Sequence, residues 1–194
     1  MIPTLPLRSR NRLAETILAA LHDSRARDEL EALARAPEGR SPAGWLAPDE
    51  ERHAGALVAR ARCATAALAG RAPGRPAPSI DEALGAAATL FDAGLYFEVH
   101  ELLEPYWRDA RGEEREALQG LIQIAVGYQH LANGNVDGAR ALLDEGAGRT
   151  GRGRLAGLDL QRFASEVDVL RRRFPNIESG DVPAFPRPAR SRES

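Results

Sequence analysis

The sequence predicts an all-α protein, a compact multi-helix bundle built from antiparallel helical hairpins with an N-terminal helical extension. Three observations support this fold class. Apolar residues recur at helical spacing in nearly every periodic segment, no segment shows a convincing strand pattern, and short Gly- or Asn-containing turns separate the segments. We expect six or seven helices.

The N-terminal part of the chain, residues 1–78, is predicted to be a helical extension followed by a linker. Leu13, Ile17 and Leu21 form the stripe of a first helix, and a change of phase predicts a break near Ser24. A Pro- and Gly-containing loop at 36–48 comes before a further helix, which we expect to open at Asp49 or Glu50. The Pro- and Gly-rich segment 70–78 is the predicted linker.

The core domain is predicted to span residues 79–175, with 176–194 as a C-terminal tail that is either a strap or disordered. Ser79 and Glu82 match a capping box, which predicts the start of its first helix. We expect the next helix to be interrupted by Pro105, and Pro175 to stop the last one. The predicted helices that follow the first are 96–109, 113–132, 136–146 and a final helix capped by Asp159, with a Gly- and Arg-rich hinge at 146–157.

A weak internal repeat lies within this core. Gly94, Leu102, Leu103 and Glu104 align with Gly134, Leu142, Leu143 and Asp144 at a constant offset of 40. Both copies read as the turn and second helix of a helical hairpin. Because a solenoid needs about three units to bury its faces, two copies favour a compact bundle.

Composition narrows the classes of function. Formal net charge is -2, with 26 basic and 28 acidic side chains, so we expect neither a nucleic-acid nor a membrane partner. The chain contains no Lys, so every Lys or Arg position is Arg, which looks like a bias in amino-acid composition. Clusters of Arg are therefore weak evidence for a phosphate-binding site. Cys63 stands alone, which excludes an internal disulfide and a Cys-rich metal site. With no signal-peptide pattern and no bilayer-length apolar run, we expect a cytoplasmic protein. The sequence does not identify its partner and leaves both a second copy of the chain and a different protein open.

The most informative segment is residues 91–130, where polar groups crowd into apolar helices. His100, Glu104 and Trp107 follow a His-x-x-x-Glu-x-x-Trp spacing, which places the three side chains on one helical face. An imidazole and a carboxylate one turn apart can hydrogen-bond each other or bind one metal ion. We expect Pro105 to distort this spacing, because it removes a helical donor and disfavours the helical region for Glu104.

A second polar face follows on the next helix. Glu116, Gln119, Gln123 and His130 share it, and if it meets the first face the bundle holds a His/Glu/Gln/His cluster. The predicted metal ligands are His100, Glu104 and His130. The predicted ligand-pocket residues are Glu98, Glu101, Trp107, Gln119 and Gln123.

Three interpretations of the cluster stay open. It is a divalent-metal or small-ligand site, a metal-free catalytic pair, or a buried hydrogen-bond network in a structural or protein-interaction module that needs no cofactor. No catalytic residue, reaction or substrate can be assigned. The start of a zincin helix at His100 lacks its second His, so peptidase chemistry is disfavoured.

At these residues the sequence resembles a family of small all-helical prokaryotic proteins, catalogued as domain of unknown function 309. The resemblance covers roughly residues 80 to 150. It implies an all-helical fold and a His-x-x-x-Glu-x-x-Trp motif suspected of metal binding, without an established reaction. The matching segments are 91–94, 96–104, Trp107, 119–123, His130, 133–135 and 138–139.

Overall fold

The computed structural model describes residues 5–37, 39–76, 78–155, 157–174 and 181–187. Within these ranges it contains eight α-helices, one 3-10 helix and no strand, so the predicted all-α class is confirmed with one helix more than expected. Its contacts divide the chain into two compact units, Met1–Pro78 and Ser79–Ser194. None of the described helices combines the length and the apolar character that a bilayer crossing requires.

The first unit contains three α-helices and the 3-10 helix. Its helices are α1 (Leu7–Ala19), α2 (Ser24–Ala34), the 3-10 helix (Pro48–His53) and α3 (Ala54–Leu68). The predicted break between the first two helices is confirmed. Asp23 produces it, because its side chain accepts a hydrogen bond from the backbone N–H of Arg25 and so caps α2. The segment expected to open a helix at Asp49 or Glu50 instead forms the 3-10 turn that leads into α3.

The described residues of the second unit form five α-helices, and each of these helices contacts the next one along the chain. They are α4 (Ile80–Asp92), α5 (Tyr96–Asp109), α6 (Gly112–Ala132), α7 (Val136–Thr150) and α8 (Leu160–Arg171). The predicted capping box is present at the start of α4, where Ser79 and Glu82 satisfy each other's backbone N–H groups.

The expected interruption at Pro105 is wrong. α5 continues through this residue to Asp109, and Pro105 lies on its exposed side. A proline at this place costs the helix one hydrogen bond, the one that the carbonyl of Glu101 would otherwise accept. Because His100, Glu101 and Glu104 all lie within the continuous helix, their helical spacing is kept.

The expected end of the seventh helix at Gly146 is also wrong, because α7 runs on to Thr150. Gly146 is a packing residue and not a hinge. A Cβ atom at Gly146 would lie 2.9 Å from the carbonyl oxygen of Gly120 in α6, and one at Gly120 would lie 2.8 Å from the carbonyl oxygen of Gly146. The absence of side chains at these two positions lets the backbones of α6 and α7 approach closely.

The internal repeat corresponds to two turns of the same construction. Gly94 and Gly134 adopt φ values of 74° and 80°, in the left-handed region that favours glycine. In the first turn the N–H of Leu95 donates to the carbonyl of Leu90, and in the second the N–H of Asn135 donates to that of His130, both at 2.9 Å. Each turn therefore ends its helix with the hydrogen bonds of a Schellman motif.

An aromatic cluster fills one end of the second unit, and part of the C-terminal tail completes it. The ring of Phe91 contacts four other rings at centroid distances of 5.1 to 6.1 Å; these belong to Tyr96, Tyr128, Phe163 and Phe185. Phe185 comes from the segment 181–187, which therefore packs as a strap. Pro175 and the rest of the predicted tail lie outside the described residues.

Candidate metal centre

The candidate site begins with the way α5 sits on its unit. Val99 and Leu103 are fully buried and fix the inward face of the helix. His100 and Glu104 follow each of these residues by one position, which is about 100° around a helix, so they lie at the edge of the buried face. Their side chains are 30% and 37% exposed, respectively.

Three potential ligand atoms come together at this edge. One ligand atom each from His100, Glu101 and Glu104 lies within 4.8 Å of the other two. Nδ1 of His100 is 2.9 Å from Oε1 of Glu101, which is a hydrogen bond between neighbouring residues of the chain. Oε1 of Glu104 is 4.0 Å from Nε of Arg108, a distance at which a solvent-exposed ion pair contributes little. The carboxylate of Glu104 is therefore only weakly engaged.

A cleft between α5 and α6 opens beside these atoms. Its volume is about 170 Å³. It is lined by His100, Glu104 and Trp107 from α5 and by Gln119, Ile122 and Gln123 from α6. The two polar faces that the sequence predicted thus meet, in part, around this cleft.

Trp107 lines one side of the cleft, and Arg115 contacts both its indole ring and its backbone. The guanidinium carbon of Arg115 lies 4.2 Å from the centre of the indole ring, within the range of a cation–π contact. The same guanidinium donates to the backbone carbonyl of Trp107 at 2.8 Å. These two contacts fix the orientation of the indole against the end of α5.

Two polar atoms of the cleft residues are enclosed without a hydrogen-bond partner in the described part of the chain. They are Nε1 of Trp107, which is a donor, and Oε1 of Gln123, which is an acceptor. Enclosed polar atoms in native proteins nearly always have a partner, either protein or water. Both atoms are closed off from solvent, so a molecule in the cleft does not contact them in this conformation.

Gln123 also influences the Glu145 carboxyl of α7. Hydrogen bonds from Arg149 and then from Gln123 lower the pKa of the Glu145 carboxyl below its usual range. Arg149 donates to Glu145 and to Glu116, each at 2.8 Å.

Two of the predicted site residues lie elsewhere. Glu98 is 0% exposed and does not line the cleft. His130 lies in the last turn of α6, seven residues beyond Gln123 and so roughly 10 Å farther along the helix axis. Its Nδ1 is 2.8 Å from Nδ2 of Asn135 in the following turn. The group of ligand atoms contains neither residue.

The prediction from the sequence did not include Ile122 or Arg115. Ile122 follows Gln119 by three positions, and this spacing could have placed it on the cleft face. Arg115 is eight residues from Trp107 and on another helix, and no local signal links the two.

One comparison with known proteins bears on this site. The model of the family described as Domain of unknown function (DUF309) matches residues 84–142, which is less than a third of the chain. The chain resembles the DUF309 family. This confirms the resemblance stated from the motifs, and the matched stretch runs from α4 into α7 and includes every residue of the cleft. Neither a curated protein nor a solved structure matches the chain significantly.

Proposed function

We propose that the protein binds one divalent transition-metal ion at the edge of α5, with His100 and Glu104 as its principal ligands. The observation that carries this proposal is the convergence of one imidazole and two carboxylates within 4.8 Å on a continuous helix. Imidazole nitrogen suits zinc and iron, and carboxylate oxygen suits manganese, so a mixed set fits a first-row cation.

Glu101 supports the imidazole in this proposal. With Nδ1 of His100 protonated and donating to Glu101, the lone pair of Nε2 is free for the metal. A carboxylate that holds the second nitrogen of a metal-binding His fixes the ring and makes it more basic. Glu101 therefore orients His100 in this proposal.

The exposure of the group favours this proposal over a buried hydrogen-bond network. His100, Glu101 and Glu104 keep 30%, 37% and 37% of their side-chain surface exposed. A network that fixes helix register is normally enclosed, whereas a metal site needs a path by which the ion enters. The cleft provides that path.

The test is metal binding by the full chain. Calorimetric titration of the metal-free protein with Mn²⁺ and Zn²⁺, followed by elemental analysis after dialysis, should give one ion per chain. His100→Ala and Glu104→Ala should each weaken the affinity by more than about 100-fold, which exceeds the usual loss when only a supporting residue is removed. Glu101→Gln, which still accepts the imidazole proton, should weaken it less than Glu101→Ala.

The control variants are His130→Ala and Glu114→Ala. They remove the same chemical groups from α6 at places outside the ligand group, and metal affinity should stay unchanged. Equal metal content in the wild type and the His100→Ala/Glu104→Ala double variant would overturn the proposal.

A further inference from the structure

We propose that the surface beneath the strap, residues 181–187, is a binding site for an extended segment of a partner protein that carries the sequence Phe-Pro-Arg. The strap is the intramolecular occupant of this site and blocks it when the partner is absent. We call the receiving surface the strap site; it consists of Asp92 and the rings of Phe91 and Phe163. The inference does not depend on the proposed metal site.

The strap site holds the strap through contacts of the kind that proteins use to recognise peptides. The ring of Phe185 is 2% exposed and lies 5.1 Å from the ring of Phe91 and 5.7 Å from that of Phe163, measured between centroids. One oxygen of Asp92 accepts the backbone N–H of Phe185 at 2.9 Å, and the other accepts from the guanidinium of Arg187 at 2.5 Å. The site therefore recognises one apolar side chain, one backbone group and one cation.

Asp92 occupies an unfavourable position for a carboxylate. It is the last residue of α4, where the partial negative charge of a helix C-terminus disfavours an acidic side chain. The strap compensates for this, because each oxygen of Asp92 accepts a hydrogen bond from a strap residue. Residues that break a local rule in this way are typical of functional sites, where the side chain serves binding.

The strap is held in a way that allows it to leave. Among residues 181–187, Phe185 alone is buried, and residues 183–187 have no regular secondary structure. The side chain of Arg187 is 51% exposed, so water competes for its ion pair with Asp92. A segment that is anchored by one buried side chain opens at a much lower cost than global unfolding.

The sequence of the strap defines the chemistry of the partner segment. Residues two apart in an extended chain point to the same side, so Phe185 and Arg187 can both reach the end of α4. Pro183 and Pro186 each fix their own φ near about −65°, which reduces the conformational freedom that the segment loses when it docks. The partner segment therefore carries an aromatic residue, a proline and an arginine in this order.

A different protein fits this site better than a second copy of the chain. If two copies exchanged their straps, the contacts would be the same as before, and nothing would offset the freedom lost on association. A different protein that also contacts the surface around the strap site gains those contacts. Such a partner can outcompete the strap, whose effective concentration is in the millimolar range for a short tether.

The test is binding of a separate peptide with the strap's own sequence, Asp-Val-Pro-Ala-Phe-Pro-Arg, labelled with fluorescein at its N-terminus and amidated. Its anisotropy is measured with the full-length wild type and with full-length Phe185→Ala, whose strap lacks the anchor. The peptide should bind Phe185→Ala at least about tenfold more tightly, because the wild-type strap competes for the site. A peptide with Ala in place of Phe should lose at least about tenfold in affinity.

Asp92→Asn, made together with Phe185→Ala, tests the role of the carboxylate. Asparagine keeps an oxygen for the backbone N–H and loses the charge that attracts the guanidinium. Replacing Arg by Gln in the peptide should weaken binding about two- to fivefold when Asp92 is present, and not at all in Asp92→Asn. Asp109→Asn is the matched control, because Asp109 is also the last residue of its helix, and it should leave the effect of the peptide's Arg intact.

A second variant covers the case that Phe185→Ala fails to fold, which far-UV circular dichroism detects. Arg187→Ala keeps the aromatic anchor and removes the exposed ion pair, so it should bind the peptide about two- to fivefold more tightly than the wild type. An unfolded Phe185→Ala together with an Arg187→Ala that gains no affinity overturns the inference, since the strap is then a fixed part of the core.

The remaining results are equally decisive. A folded Phe185→Ala that binds no peptide, or binds it no better than the wild type does, overturns the inference. An effect of the peptide's Arg that persists in Asp92→Asn overturns the assignment of that contact to Asp92. Self-association of the wild type that is lost in Phe185→Ala, measured by light scattering, identifies a second copy as the occupant and overturns the assignment to a different protein.

Discussion

Replacing Gly120 by Ala should destabilise the second unit by about 2 kcal/mol, although alanine is the better helix former. A Cβ atom at this position would lie 2.6 Å from the backbone nitrogen of Thr150 and 2.8 Å from the carbonyl oxygen of Gly146, besides meeting the hydroxyl of Thr150. Backbone atoms cannot rotate away, so α6 and α7 must separate. Overpacking of this kind costs up to about 3 kcal/mol, and the helix preference of Ala returns about 1 kcal/mol.

Gly85→Ala is the matched control. Gly85 also lies inside a helix of the second unit, and a Cβ atom there would meet nothing within 4 Å. Without a clash only the helix preference remains, so this variant should be more stable than the wild type by about 0.5–1 kcal/mol. The two substitutions are chemically identical and should have opposite signs.

The assay is urea unfolding of the full chain, followed by far-UV circular dichroism and by tryptophan fluorescence. Because the two units can unfold separately, the fluorescence is measured in a Trp45→Phe background, which leaves Trp107 as the reporter of the second unit. Equal or greater stability of Gly120→Ala would refute the claim that these helices touch through their backbones.

Three further predictions concern the turn, the strap and the tyrosines. Gly94→Ala should cost about 1 kcal/mol in urea unfolding because Gly94 has a φ of 74°, whereas Gly94→Asn should cost less. Asp92→Ala should speed amide exchange at Phe185 by about tenfold or more, because the N–H of Phe185 donates to Oδ1 of Asp92 at 2.9 Å; unchanged exchange would mean that the strap does not depend on this bond. Burial, and secondly the charge of Asp92, raise the pKa of the Tyr96 hydroxyl to about 12. Burial, and secondly the charge of Tyr96, raise the pKa of the Tyr128 hydroxyl. The unfolded chain therefore loses these protons at a lower pH than the folded chain. The free energy of unfolding should fall as the pH rises from about 10 to 12, by at most about 1.4 kcal/mol per pH unit for each tyrosine. Urea midpoints measured at each pH should show a smaller slope for Tyr96→Phe.

The fold class could be predicted from the sequence because each helix carries its own periodic stripe and its own end signals. Ser79 with Glu82 and the two glycines of the turns act within a few residues, so they can be read locally. The end of α7 could not be predicted this way. Gly146 looks like a helix breaker in isolation, and only its contact with Gly120 shows why glycine is needed inside the helix.

The prediction of an interruption at Pro105 is wrong for a related reason. Its local effect, one lost hydrogen bond, was correctly anticipated, but the inward contacts of Val99 and Leu103 keep α5 continuous. Tertiary packing thus outweighs the local preference. A similar limit applies to His130. It shares a face of α6 with Gln119 and Gln123, but a shared face does not determine which part of α6 packs against α5.

The two hairpins explain why the candidate site lies in only one of them. At the repeat offset of 40, Glu104 and Trp107 of α5 correspond to Asp144 and Ala147 of α7, and His100 corresponds to Arg140. The second copy therefore lacks the imidazole and the indole.

The difference between the copies also shapes α6, which packs against both α5 and α7. Toward α7 it presents Gly120 and Gly127, at which a Cβ atom would approach α7 atoms to within 2.8 Å. Toward α5 it presents the long side chains of Gln119 and Gln123, which line the cleft. The glycines let α6 approach α7 closely. On the side of α5, the long side chains of Gln119 and Gln123, together with Trp107 of α5, border the cleft. The cleft and the close backbone contact are thus two consequences of how one helix distributes its large and small residues.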